Sequence, residues 1–246
     1  MLPRQTSSFQ LPPLTPFARN LMIAIGAIFL IQVLVRVILG FDTVRYAQFV
    51  EIPLGLSGAG FFGRLFLWQP FTYFWLSPLH SVGPIFFSLL SLYFFVPPIE
   101  RQIGKTRTLI AFVSAGVTGG LLSLAVAGIF LPKHALYTLP LLGPQAATAG
   151  LIATLCWWWR DSRMNLFIIQ PYGWQVLVGF TALVVLQGLL SAHPYLIVHQ
   201  LGGILMGIGV ATGRDPYGLF QRIRLWRLRR RVRVVRSGKD DRDWMN

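Results

Sequence analysis

The sequence predicts an all-α polytopic membrane protein, a bundle of six transmembrane helices, and three observations predict it. Of 246 residues, 54% are hydrophobic, the mean hydropathy is +0.59 and only 12% are charged, about half the roughly 25% usual in soluble domains. The apolar residues fall in long runs separated by short polar stretches, which fits successive membrane spans better than one or two soluble domains. Lysine and arginine are distributed unequally among those polar stretches.

The elements follow in order. Residues 1–19 form a Pro-rich, extended N-terminal arm. The first apolar run, about Leu21 to Leu39, is an uncleaved span and not a signal peptide: it is long, holds Arg36 and is not followed by a small-residue cleavage site. Further runs lie near residues 79–98, 108–131, 142–159, 174–192 and 194–212, giving a membrane domain over residues 20–212 and a basic tail over residues 213–246. No internal repeat is evident.

Six spans place both termini on one side, and the charges test that arrangement. With cytoplasmic termini, that side carries Arg4, Arg19, Arg101, Lys105, Arg107, Arg160, Arg163 and the eleven basic residues of the tail, 18 of the 22 lysines and arginines; the opposite side carries Arg45, Arg64 and Lys133. This asymmetry predicts a multi-pass protein with both ends inside, in a bacterial inner or plasma membrane. Arg36 sits toward the outer end of the first span, where snorkelling to the headgroups is its expected behaviour.

Between the first two spans, Phe41 to Leu76 is too long and too apolar for a simple hydrophilic loop. Its aromatic stretch, from Phe61 to Trp75, is broken by Gly and Pro. Aromatic rings favour the headgroup level, so this segment is expected to lie half-submerged on the outer face as a membrane-associated loop.

The net charge of +14 is concentrated in the tail. There Arg222, Arg224, Arg227, Arg229, Arg230, Arg231 and Arg233 interleave with apolar residues directly after the last run. That pattern suits anionic lipid headgroups at the inner leaflet, with about 1 kcal/mol per basic residue near the surface. No recognition module accompanies the arginines, which argues against nucleic acid as a partner. The sole cysteine, Cys156, lies in an apolar run and reads as a small buried residue. His134 and His193 sit at span ends and read as interfacial. No cluster has metal-ligand spacing and no phosphate loop is present, so neither a metal nor a cofactor is expected.

Small residues mark two spans. The last contains Gln200-Leu-Gly202-Gly203-Ile-Leu-Met-Gly207, in which Gly203 and Gly207 form a face for close helix approach. The fourth begins Gly143-Pro-Gln145-Ala-Ala-Thr148-Ala-Gly150-Leu151. Each alone is a packing motif. In this order, and on the fourth and sixth spans, they resemble the two signature helices of the rhomboid family of intramembrane serine proteases.

The family's fourth helix typically reads Gly-x-Ser-Gly-Ala-x-x-Gly-Leu, and its sixth His-x-Gly-Gly-x-x-x-Gly. The resemblance therefore places Gln145 where the nucleophilic serine stands and Gln200 where the general base stands. Trp68-Gln69 resembles the Trp-Arg motif of the first outer loop, and Glu100 with Gly104 matches a Glu-x-x-x-Gly at the end of the second helix. Counting back from Glu100 puts the oxyanion asparagine and histidine at Ser88 and Pro84. With a gap, His80 aligns with an earlier loop histidine. The resemblance covers about residues 15 to 212.

A carboxamide is neither nucleophilic nor basic near neutral pH, so the serine route to peptide hydrolysis is lost at both dyad positions. The amides of Gln145 and Gln200 are expected to replace the dyad by a hydrogen-bonded clasp. Thr148 is the only nearby hydroxyl, expected to bond its own helix backbone; His199 adjoins the base position but points about 100° away from Gln200, and shifting the alignment to place it there breaks the register of Gly202, Gly203 and Gly207.

The resemblance thus implies an inactive rhomboid-like protein that binds transmembrane segments of client proteins, as derlins and iRhoms do in trafficking or quality control. The alternatives are an active intramembrane protease with catalysis displaced to Thr148 and His199, or a scaffold acting through its basic tail. Absence of inverted repeats and of paired broken helices argues against a transporter.

Overall fold

The computed structural model describes residues 13–130, 140–164, 170–190 and 194–213. Residues 1–12 of the N-terminal arm, Lys133, His134, His193 and all the tail arginines from Arg214 onward lie outside the described residues. Within them every regular element is helical, with two isolated bridges and no strand.

Helix α1, Pro16–Ile38, starts ahead of the expected Leu21 because Pro16 stands at the first helical position, where its fixed φ suits helix initiation and its missing N–H is no loss. Ala18, Leu21, Ile25 and Gln32 are buried, a stripe at spacings of three, four and seven that packs on the next long helix. Ile23, Leu30, Ile31, Val37 and Ile38 are exposed on the other faces.

Helix α2, Gly83–Phe130, is broken at Gly104, whose φ of 78° and ψ of 162° are non-helical. A positive φ costs glycine no Cβ clash, so the chain turns there without strain and the element has two limbs, corresponding to the runs read at 79–98 and 108–131. Helices α3, Gln145–Trp158, α4, Gly173–Leu190, and α5, Pro194–Ala211, complete the bundle.

Among the described residues, three stretches are long and apolar enough to cross a membrane: Pro16–Ile38, Gly83–Val126 and Gly173–Leu190. Tyr195–Ala211 is apolar but shorter.

Helix α3 differs from the rest. It has 14 residues, about 21 Å of helix, and every residue from Ala146 to Cys156 is buried. Its side chains are small at Ala146, Ala147, Ala149, Gly150 and Ala153, so α2 and α5 pack directly on its backbone. A Cβ on Gly203 would overlap the Ala146 carbonyl, and one on Gly207 would overlap that of Gly150. The same row then turns polar. The Thr154 hydroxyl lies 2.8 Å from the Gly150 oxygen and 3.0 Å from that of Gly207, and Trp158 Nε1 donates to the Ala211 carbonyl at 3.0 Å. Residues 146, 150, 154 and 158 thus form a single i+4 ridge against α5.

Between α1 and α2 the chain makes short helical pieces, including Thr43–Tyr46, Ala47–Glu51, Ala59–Gly63 and Gln69–Thr72. Leu56 and Leu141 exchange backbone hydrogen bonds of 3.0 and 2.8 Å, which fixes this segment to the chain leading into α3. Tyr73 and Phe74 are buried against the second limb of α2 at Gly120 and Gly116, while Phe49, Phe62, Leu67, Trp68 and Phe71 are exposed.

Candidate functional site

The site is assembled where three backbones meet at Gly119 of α2. A Cβ there would overlap the His199 carbonyl, stand 2.5 Å from the Ala146 side chain and lie 3.4 Å from the Gly203 nitrogen. Only glycine permits that approach. Because Ala146 follows Gln145 and His199 precedes Gln200, this contact brings the two glutamine positions to one level of α3 and α5.

Gln145 opens α3 after Pro144. Gly143, just before, has a φ of 114° and donates its N–H to the Tyr73 carbonyl at 3.1 Å. The Gln145 carboxamide folds over Gly143, since a Cβ on that glycine would overlap its Oε1. Gln145 and Gln200 are both half-buried, and the clasp expected between them is not formed: among the described residues no hydrogen bond joins the two amides. The sequence could not show that Gly143 leaves room for the Gln145 side chain to turn back on itself.

Thr148 Oγ1 donates to the Gln145 carbonyl at 3.0 Å, one turn back on its own helix. His199 is fully buried and faces the segment between α1 and α2: its Nε2 lies 3.1 Å from the Tyr73 hydroxyl. That hydroxyl donates to the Gly116 carbonyl, so its oxygen accepts from Nε2–H. The proton is assigned to Nε2 on that ground. Tyr73 therefore joins three elements: α2 through Gly116, α3 through Gly143, and α5 through His199. Sequence reasoning missed it, although an imidazole in an apolar span signals that a polar partner must be found.

Ser88 and Pro84 stand one turn apart on α2, where the Ser88 hydroxyl donates to the Pro84 carbonyl at 2.8 Å. Glu100 lies four residues before the Gly104 break. Trp68 Nε1 donates to the Pro53 carbonyl at 2.9 Å. Gln69 is fully buried; its Nε2 donates to the Ile52 carbonyl at 2.8 Å and its Oε1 accepts from the Ser57 N–H at 3.4 Å. Gly202 packs on the Gly119 backbone, and Gly150 against Ala115.

A scan of protein families matches residues 64–214 to the Rhomboid domain. That is more than half of the chain, and it contains every motif residue from Trp68 to Gly207. The chain belongs to the rhomboid family. A search of curated proteins finds no match.

As a rhomboid-family protein it is an integral membrane protein of a family that includes serine proteases. Within this rhomboid domain the two positions that the motif resemblance aligns with the family's dyad, Gln145 and Gln200, hold carboxamides. The Thr148 hydroxyl, one turn along α3 from Gln145, is bonded to backbone, and the His199 imidazole, next in sequence to Gln200, is bonded to a tyrosine. Among the described residues no group of His, Cys, Asp and Glu could hold a metal ion.

Two groups outside the spans have altered acidity. Burial raises the Glu51 carboxyl above its ordinary value, opposed by the nearby positive charges of His80 and Arg36. Burial also raises Tyr46, opposed by its hydrogen bond with Gln32, whose Nε2 lies 3.1 Å from the Tyr46 hydroxyl.

Proposed function

We propose that this rhomboid-family protein is a pseudoprotease that binds transmembrane segments of other membrane proteins without cutting them. The observation that carries the proposal is the pair of half-buried carboxamides at the dyad positions, Gln145 and Gln200. Neither is hydrogen-bonded to the protein among the described residues. A carboxamide offers two donors and an acceptor, like the peptide groups of a partly unwound helix. Within a membrane such peptide groups need partners, so the same place that would hold a scissile bond in a protease suits the retention of an intact segment.

In this reading the six spans are α1, the two limbs of α2, α3, α4 and α5. Both termini are cytoplasmic, as supported by 18 basic residues against 3, in a bacterial inner or plasma membrane. The segment between α1 and α2 lies in the outer interface, supported by its exposed aromatic rings. The apolar groove of about 650 Å³ between α4 and α5, lined by Leu177, Val178, Thr181, Ile204 and Ile208, gives a client helix a surface to lie on. The arginine tail holds the cytoplasmic face to anionic lipids.

A photo-activated crosslinker placed at Gln145, with mass spectrometry of the trapped peptides, tests the reading. Crosslinks to the apolar segments of a restricted set of membrane proteins are expected. Capture no different from that of a crosslinker at the exposed Leu190 would overturn it.

A further inference from the structure

Arg36 sits near the end of α1, and its surroundings are more specific than snorkelling requires. Its Nη2 donates to the Thr43 hydroxyl at 3.1 Å; among the described residues this is its one side-chain hydrogen bond, and no carboxylate stands within ion-pair distance. A guanidinium has five N–H donors in a fixed fork, more than the Thr43 bond uses. Arg36 also lines a cavity of about 390 Å³, with Val33, Val37, Gly40, Phe41 and Leu79. Phe41 is held in the wall by stacking on Phe49, ring centroids 5.6 Å apart. Val33 and Val37 continue down α1 toward its apolar middle.

An arginine at the headgroup end of a span, close to Glu51 but in direct ion-pair contact with no carboxylate among the described residues, beside a cavity with otherwise apolar lining, is complementary to an anion on an apolar stem. The planar fork matches phosphate oxygens in bidentate fashion. We propose that this cavity binds one phospholipid molecule, its phosphate on Arg36, which Thr43 orients, and its upper acyl chain along Val33 and Val37. The proposal stands apart from client binding, since the cavity is built from α1 and the outer segment and not from α3 and α5.

The full chain is reconstituted in vesicles of phosphatidylcholine and phosphatidylglycerol, released into detergent, and analysed by native mass spectrometry for retained phospholipid. The wild type is expected to keep one phospholipid that Arg36→Gln loses, with apparent affinity falling on the order of tenfold for a lost charge-assisted bond. Arg36→Lys, which keeps the charge but not the fork, is expected to fall in between. Val37→Trp, which fills the apolar wall, is expected to lose the lipid while Arg36 remains. Equal retention by wild type and Arg36→Gln overturns the proposal. So does displacement of the lipid by inorganic phosphate with retention unaffected in Val37→Trp, since that identifies a free-phosphate site. Melting temperatures of each variant with lipid removed confirm that the losses are not unfolding.

Discussion

The Tyr73 hydroxyl lies 3.1 Å from Nε2 of His199, across 126 residues of sequence. Both side chains are fully buried, and the contact ties the segment between α1 and α2 to α5 at the level of Gln145 and Gln200. Tyr73→Phe removes the acceptor for Nε2–H, and a buried donor left unsatisfied costs about 1–3 kcal/mol. Thermal unfolding in detergent should show that loss. Tyr73→Phe combined with His199→Leu should cost less than the sum of the two single changes, because both partners are then gone.

The glycine ridge makes a sharper contrast. Gly207→Ala puts a Cβ into the Gly150 carbonyl, and overpacking of this kind costs about 1–3 kcal/mol or more. A Cβ on Gly26 of α1 meets nothing within 4 Å, so Gly26→Ala should be neutral or gain up to about 1 kcal/mol from helix propensity. The two melting temperatures should move in opposite directions, or the first alone should move.

Gln69 holds the segment between α1 and α2 by its amide. In Gln69→Ala the Ile52 carbonyl and Ser57 N–H lose their partner, and hydrogen exchange should quicken between residues 52 and 60 while α3 and α5 stay protected. Unchanged exchange there would show that the Leu56–Leu141 pair suffices.

The raised acidity of Glu51 gives a pH dependence of known sign. Its folded pKa is above the unfolded value, so its contribution to stability is fully present below about pH 4.3, the ordinary glutamate value, and is lost as pH rises through the folded pKa. Glu51→Gln keeps the group neutral. Its advantage in melting temperature over the wild type should therefore be small in acid, grow with rising pH, and level off above the folded pKa.

These relationships divide into those the sequence displayed and those it hid. The apolar runs, the small-residue face of Gly203 and Gly207, and the ordered motifs from Trp68 to Gly207 all were legible, because span length and close helix packing leave periodic signals. Thr154 and Trp158 continue the same row as Ala146 and Gly150, and the i+4 spacing could have revealed them. The pairing of Tyr73 with His199 could not be read, since it depends on how an irregular segment packs back onto α2 and α5. The capture of Gln69 by Ile52 and Ser57 was hidden for a related reason: its partners are backbone atoms, which carry no residue-type signature. In place of the expected Gln145–Gln200 clasp, the Gln145 side chain lies over Gly143, whose φ is positive, a local backbone detail that the sequence does not display.

The central claim is that the glutamine-bearing site retains a membrane segment and leaves it whole. The most direct measurement is intact-mass spectrometry of a transmembrane peptide incubated with the purified chain in proteoliposomes and crosslinked at position 145. The account predicts peptide of unchanged mass, joined to the chain at that position. Peptide fragments whose masses sum to that of the peptide plus one water, and which disappear in Thr148→Ala or His199→Ala, would contradict it.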